Sequence, residues 1–315
     1  MNFENIHKPV LLREVLYYLN LKQGDIIFDG TLGGAGHTVE IIKVIAPTGK
    51  VIGVDLNSQA VSTATNRLKN YTDNVILVSD NFANVESILK KLNIKKLNGF
   101  FLDLGLSSFL IEKSGRGFSY LRNEKLDMRF DCNGVLSAYN VVNEYKEDKL
   151  KEIFYKYGQE RWAPVVAKNI VSYRRSRKIN YTGELVEIIR RSIPSYYKKY
   201  RKGHPAKRIF QAIRIEVNKE LENLSNALES GFKVLKGGGR MVIISYHSLE
   251  DRIVKEKFMF FSGKCICPPN FPVCRCGARK QAEIITKKVV KPLPIEVEEN
   301  PRSSSAKLRA LEKLK

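Results

Sequence analysis

The chain has 315 residues, enough for one large or two modest domains, and its 43% hydrophobic and 28% charged residues are ordinary for a globular protein. No apolar run is long enough to cross a bilayer, and Met1-Asn2-Phe3-Glu4-Asn5 lacks the basic patch and apolar run of a secretory signal, so a cytoplasmic protein is expected. The formal charge is +21, and residues 151–210 hold 16 Lys/Arg against 4 Asp/Glu, more than half of that excess in a fifth of the chain, which favours a polyanionic partner over a mere solubility charge.

Four short apolar runs open the chain: Ile26–Asp29, Val51–Asp55, Val75–Val78 and Phe100–Asp103. Amphipathic segments separate them, which is the pattern of parallel strands joined by crossover helices. Asp29-Gly30-Thr31-Leu32-Gly33-Gly34-Ala35-Gly36-His37 follows the first run. Its glycines let a ligand approach the backbone. Asp55 ends the second run, 22 residues after Gly33, where a carboxylate can accept from both hydroxyls of a ribose. Together these features predict an adenosine-containing ligand. The G-x-G-x-x-G fingerprint of dinucleotide sites is not met, because Val39 stands where its last glycine would be. An acidic loop suits S-adenosylmethionine, which carries an ammonium and a sulfonium and no pyrophosphate, better than a nicotinamide cofactor. After the third run, Phe82 offers an apolar face for adenine and Asp80 an acceptor for its amine. Asp103, ending the fourth run, is placed to touch the reacting group; a loop anchor is the alternative.

From Gly105 to Gly239 the chain is far longer than the ~30 residues that a strand-helix-strand unit needs. The surplus predicts an inserted helical domain, with helices near Asp148–Tyr157, Ala163–Tyr173 and Glu184–Ile193. It carries the clusters Arg174-Arg175-Ser176-Arg177-Lys178 and Lys198-Lys199-Tyr200-Arg201-Lys202. One long helix is then expected from His204-Pro205 to a left-handed cap in Gly237-Gly238-Gly239. Lys207, Gln211, Arg214 and Asn218 share one of its faces, with Arg208 beside them, either as its wet side or as a surface for phosphates. A fifth strand, Met241–Ser245, follows. Cys265-Ile266-Cys267 and Cys274-Arg275-Cys276 place four thiols within twelve residues. C-x-C is a poorer bite for tetrahedral zinc than C-x-x-C, so bound zinc, reduced thiols and a disulfide all stay open. His7, His37, His204 and His247 lack metal-binding spacing, and no catalytic metal is expected.

The assembled motifs resemble the MraW/RsmH family of bacterial small-subunit ribosomal RNA cytosine-N4 methyltransferases, nearly end to end. His7-Lys8-Pro9-Val10-Leu11-Leu12, Gly33 to His37, Arg116-Gly117-Phe118-Ser119, Leu126-Asp127-Met128-Arg129 and Tyr157-Gly158-Gln159-Glu160-Arg161 carry it. So do His204-Pro205-Ala206-Lys207-Arg208, Phe210-Gln211-Ala212 and, most specifically, Ser245-Tyr246-His247-Ser248-Leu249-Glu250-Asp251-Arg252. The resemblance implies S-adenosylmethionine-dependent methylation of a cytidine amine in the decoding region, on an assembled or nearly assembled subunit.

Family cofactor contacts map onto Ala35, Gly36, His37, Asp55, Phe82 and Asp103, beside the loop glycines Gly33 and Gly34. Phe109-Leu110 replace the family's usual Pro-Gln, so a side-chain bond to the cofactor from that position is missing or replaced. Ser304 stands where an arginine is typical. Some members carry the clustered cysteines and others do not, so any metal there would be structural.

The fold expected is α/β, a Rossmann-like class I methyltransferase sheet with an inserted, mainly helical RNA-recognition domain. Its boundaries are 1–108 and 205–292 for the sheet domain, 109–204 for the insert and 293–315 for a basic tail. Asp103 is the expected proton acceptor, unless it holds only the cofactor. Lys207, Arg208, Arg214 and His247 are the expected RNA contacts, with Phe118 or Tyr120 either stacked on the target base or packed in the core. A rival from another class is a non-catalytic ribosome-assembly factor that binds RNA through the insert. The complete glycine loop with Asp55 argues against it. The same sheet could also carry an oxidoreductase, which the missing glycine disfavours, or a DNA amino-methyltransferase, against which only the insert motifs speak.

Overall fold

Alternate residues of each expected strand point to opposite faces, and both faces are apolar, as a sheet covered by helices on two sides requires. The computed structural model describes residues 9–194, 203–267, 273 and 275–315. It divides into two units, Met1–Gly105 with Leu221–Lys315, and Leu106–Glu220.

The first unit holds a seven-stranded sheet. Its strands are β1 (Ile26–Asp29), β2 (Lys50–Asp55), β3 (Val75–Ser79), β4 (Leu97–Asp103), β5 (Leu235–Ser245), β6 (Ala282–Ile284) and β7 (Lys307–Lys313), in the order β3-β2-β1-β4-β5-β7-β6. Neighbours from β3 through β5 pair in parallel, and β7 runs antiparallel between β5 and β6. This is the Rossmann-like sheet expected. One face buries Phe28, Phe100, Ile243 and Phe258, and the other Ile27, Phe101, Val242 and Ile41. The strand ends therefore sit on a sheet packed from both sides.

The second unit is helical, with helices Ala138–Glu144, Glu147–Lys156, Ala163–Arg174, Thr182–Ser192 and Lys207–Asn218 around a core that includes Val142, Phe154, Ile170, Ile189 and Ile213. The unit extends from Leu106 to Glu220 rather than over 109–204. The helix Lys207–Asn218 belongs to it, because Ile209, Phe210, Ala212 and Ile213 are buried in its core.

Three expectations are corrected. The single long helix is two, Lys207–Asn218 and Glu220–Val234, divided at Lys219, whose backbone is left-handed (φ 50°). No glycine or proline marks that break in the sequence. The Gly237-Gly238-Gly239 run does not cap a helix but lies within β5, where the step from Leu97 to Gly99 on β4 is matched by Leu235 to Arg240. The insertion is a bulge, and Gly238 takes it up at φ 77°. Finally, residues 307–313 are not a tail but an interior strand, with Leu308, Ala310 and Leu311 fully buried. Among the described residues no helix is long and apolar enough to cross a membrane.

Candidate functional site

Strands β2, β1 and β4 are neighbours, and each ends in an aspartate: Asp55, Asp29 and Asp103. Three like charges along one sheet edge repel unless donors or a cation offset them. Asp29 is buried; its Oδ2 accepts from the Thr38 hydroxyl at 2.6 Å and its Oδ1 from the Thr31 N–H at 3.2 Å. Burial still raises its carboxyl above the ordinary range, against those bonds and the nearby His37. Asp55 Oδ2 accepts from the Gly33 N–H at 2.9 Å and Oδ1 from the Asn57 N–H at 2.8 Å. Burial raises it too, and Asp29 adds to the effect.

The glycine loop is shaped for close approach. Gly33 sits at φ 48°, and a Cβ on Gly34 would meet nothing within 4 Å. Ala35 is also left-handed (φ 57°), at a cost of about 1–2 kcal/mol for a residue with a side chain. It opens the helix Gly36–Ile45, and Arg67 Nη1 fastens the loop by donating to the Gly34 carbonyl at 2.6 Å.

Asp103 is held by contacts that the motifs do not disclose. Its N–H donates to the Thr31 hydroxyl at 2.6 Å, and its Oδ1 accepts from the Tyr246 hydroxyl at 2.8 Å. Burial first, then the Asp103 charge, push the Tyr246 phenol well above its usual value, so it stays a proton donor. The ring lies where a Cβ on Gly105 would be 2.9 Å away, so a glycine leaves it room. Tyr246 stands inside a motif of the sequence that by itself assigns it no role. The available signal is its place one residue beyond β5, the strand that pairs with β4.

His37 Nε2 lies 2.9 Å from the Val10 carbonyl and must carry a proton to donate there. Its Nδ1 faces Asp103 Oδ2 across 3.9 Å. Three carboxylates on neighbouring strand ends, with Asp29 buried, suit a ligand that brings positive charge. The open space over Gly34 and the two lone-pair sites on each Asp55 oxygen suit a nucleoside. The residues therefore fit S-adenosylmethionine. Phe82 is half-buried at the end of the loop after β3. Asp80 Oδ1 already accepts from the Asn81 N–H and the Asn84 amide, both at 2.7 Å.

The model of the MraW methylase family matches residues 4–314. A ribosomal RNA small subunit methyltransferase H from Clostridium botulinum (strain Loch Maree / Type A3) is 50% identical over 308 residues, 98% of this chain and 99% of its own length. Another, from Clostridioides difficile (strain 630), is 46% identical over 310 residues, again 98% and 99%. The chain belongs to the MraW methylase family. It is thus an S-adenosylmethionine-dependent methyltransferase.

In this MraW methylase the remaining motif residues divide into exposed cations and internal ties. Lys207 and Arg208 are exposed on the helical unit, and Arg208 Nη1 also donates to the Gln159 carbonyl at 2.8 Å. Arg214 makes a two-pronged pair with Glu220, both contacts at 2.8 Å, and is largely buried. Gln211 donates to the Tyr157 carbonyl at 3.1 Å, and Asn218 ties the Met128 carbonyl and the Phe130 N–H. On the polar face of that helix Gln211, Arg214 and Asn218 thus make internal ties, while Lys207 is exposed. Arg174 is turned inward as well, onto the carbonyls of Val142 and Tyr145, whereas Arg175, Arg177 and Lys178 are exposed.

His247 begins the helix Ser248–Phe261, its Nδ1 accepting from the Glu250 N–H at 3.3 Å. Its Nε2 lies 3.0 Å from Glu250 Oε1, at ion-pair distance but outside hydrogen-bond geometry. Phe118 is buried and stacked on Phe130, and Tyr120 is stacked on His204, so packing accounts for both rings. Leu110, where the family carries glutamine, is buried in the helical core. His7, Lys8, the cluster Lys198 to Lys202, and Cys274 lie outside the described residues.

Proposed function

We propose that the chain transfers a methyl group from S-adenosylmethionine to the exocyclic N4 of a cytidine in the decoding region of small-subunit ribosomal RNA. It acts in the cytoplasm, on an assembled or nearly assembled subunit. The observation that carries this reading is the near-complete overlap with relatives that are named for methylating that RNA. The row of strand-end carboxylates and the exposed cations of the helical unit support it physically. Sequence alone suggests a sheet domain of 1–108 and 205–292 with an RNA-binding insert of 109–204; the proposal assigns the grip on RNA to the compact unit Leu106–Glu220.

Gly33 to His37, Asp55, Phe82 and Asp103 hold the donor. Bound there, it supplies an electrophilic methyl carbon on a sulfonium. A cytosine amine is a poor nucleophile because its lone pair is delocalised into the ring. The chain must orient that amine and receive its proton as charge develops. Asp103 is the acceptor: Oδ1 is committed to Tyr246, which leaves Oδ2 for an amine hydrogen. The base reaches the strand ends by leaving its stack. Lys207 and Arg208 hold phosphates, while Arg214 and His247 keep the surrounding elements in place for the RNA.

The decisive experiment is mass spectrometry of small-subunit RNA from cells with and without this protein. One cytidine should lose a methyl on N4 when the protein is absent, and regain it when the purified chain is added to isolated subunits with the donor. Unchanged methylation would return the chain to the class of assembly factors that bind RNA without chemistry.

A further inference from the structure

We propose that Cys265, Cys267 and Cys276 form a structural zinc site that staples the loop between residues 262 and 281. Their three sulfurs all lie within 4.8 Å of one another. The Cys265 and Cys276 sulfurs are 3.9 Å apart. Tetrahedral zinc with bonds of about 2.3 Å places its thiolates about 3.8 Å apart, so this edge already has the length that a shared metal imposes. A disulfide would need about 2.05 Å, and it would pair two sulfurs rather than gather three.

The backbone also prepares these sulfurs to be anionic. The Cys267 N–H donates to Cys265 Sγ, and the Arg275 N–H to Cys267 Sγ, each at 3.4 Å. Thiolates, not thiols, are the ligands of zinc, and donors aimed at sulfur stabilise that form. Charge agrees. Lys264, Arg275, Arg279 and Lys280 stand in the same stretch of sequence, and no Asp or Glu stands between residues 262 and 281. A zinc ion bound by these three thiolates carries one negative charge, which such surroundings offset. Cys274, a further thiol in the sequence, lies outside the described residues.

The loop needs a staple. Its base is closed by a bridge between Ser262 and Lys280 and by the Gln281 N–H donating to the Phe261 carbonyl at 2.9 Å. Between those points none of the described residues is buried, and Ile266 and Val273 are 43% and 67% exposed. A segment with no core holds one conformation only through cross-links of this kind. Once ordered, it presents a fixed group of cations suited to a phosphate backbone.

The test uses the full-length chain, purified under reducing conditions without chelator. Elemental analysis should give one zinc per chain. Thiol titration should find Cys132, which is exposed, reacting at once, and Cys265, Cys267 and Cys276 reacting only after chelation. The double variant Cys265→Ser, Cys276→Ser should lose the metal, and Cys132→Ser should keep it. If the double variant does not fold, the thiol count on the parent protein decides alone. Iron in place of zinc would overturn the proposal. So would disulfides among these cysteines, or all three reacting at once after Zn2+ is added back under reducing conditions.

Discussion

In the sheet unit three neighbouring strands end in carboxylates that meet hydroxyls, backbone N–H groups and a histidine. In the helical unit, with 25 Lys/Arg against 13 Asp/Glu over residues 106–220, carboxylates are matched with guanidinium groups. Asp127 takes a two-pronged contact from Arg129, at 3.0 and 2.6 Å, and Glu220 one from Arg214. The consequence is opposite in sign. Burial acts on Asp127 too, but Arg129 outweighs it and holds the carboxyl below its usual range, whereas Asp29 and Asp55 are raised. A carboxylate held for structure is given its countercharge within the fold. One held for a ligand is left to find it in the ligand. Under the proposed function, that contrast suits the strand ends to a cationic donor and the helical surface to a polyanion.

The largest test of the contrast is Asp103→Asn. Removing a positioned proton acceptor should lower turnover by about 10²- to 10⁴-fold, while affinity for the subunit, which the proposal assigns to the helical unit, stays unchanged. Single-turnover rates and subunit binding measured on one preparation check both halves. Activity within a few-fold of the parent would remove Asp103 from the chemistry. Next in size is Tyr246→Phe. A hydrogen bond to a charged group contributes roughly 1.5–3 kcal/mol, so turnover should fall about tenfold or more. Donor affinity, read by calorimetry, should change less than turnover, because the phenol positions the carboxylate and does not itself meet the reacting atoms. An equal loss in both would make Tyr246 a packing residue.

The same contrast explains what is legible in the sequence. Strands β1 to β4 can be placed within a few residues, because buried parallel strands are continuous apolar runs bounded by polar residues, the same ones the proposed function uses. Asp29, Asp55 and Asp103 are visible for the same reason. Tyr246 is not, since its role depends on the pairing of β5 with β4, a contact between residues 143 positions apart. The polar face of Lys207–Asn218 misleads because spacing locates a face without saying what packs on it. Gln211, Arg214 and Asn218 look like solvent-facing residues until the loops they tie are in place. The break at Lys219 is hidden because a lysine in the left-handed region carries no sequence mark.

A smaller effect is expected on the helical side. Replacing Lys207 and Arg208 together by alanine should weaken subunit binding by several-fold to tenfold. The slope of log affinity against log salt should drop by about 2, one for each phosphate no longer neutralised. Donor binding should be untouched. If affinity falls with no change in slope, these residues act through packing. Arg208, which also holds the Gln159 carbonyl, is then the residue to separate first, by restoring Lys207 alone.

The smallest expected effect concerns the strand that the sequence presents as a tail. Lys307-Leu308-Arg309-Ala310-Leu311-Glu312-Lys313 is rich in helix formers, and nothing local prescribes a strand. Its place between β5 and β6 is set by tertiary contacts: the burial of Leu308, Ala310 and Leu311, Arg240 on Glu312 at 2.8 Å, and Arg309 on Asp251 at 2.7 and 3.3 Å. Burial raises Asp251, but Arg309 and then Lys307 outweigh it, so its carboxyl titrates below the ordinary range. A depressed folded value contributes stability above the unfolded pKa, about 3.9, and that contribution is lost as pH falls through the folded value. Asp251→Asn should therefore cost about 1–2 kcal/mol at pH 7, less than the 3–5 kcal/mol of a fully buried pair. The gap between parent and variant should hold steady down to about pH 5 and close progressively below about pH 4. Denaturant unfolding across that range measures it. A gap that persists in acid would mean that the asparagine disturbs packing around β7, and that the guanidinium contact is incidental to the strand's place in the sheet.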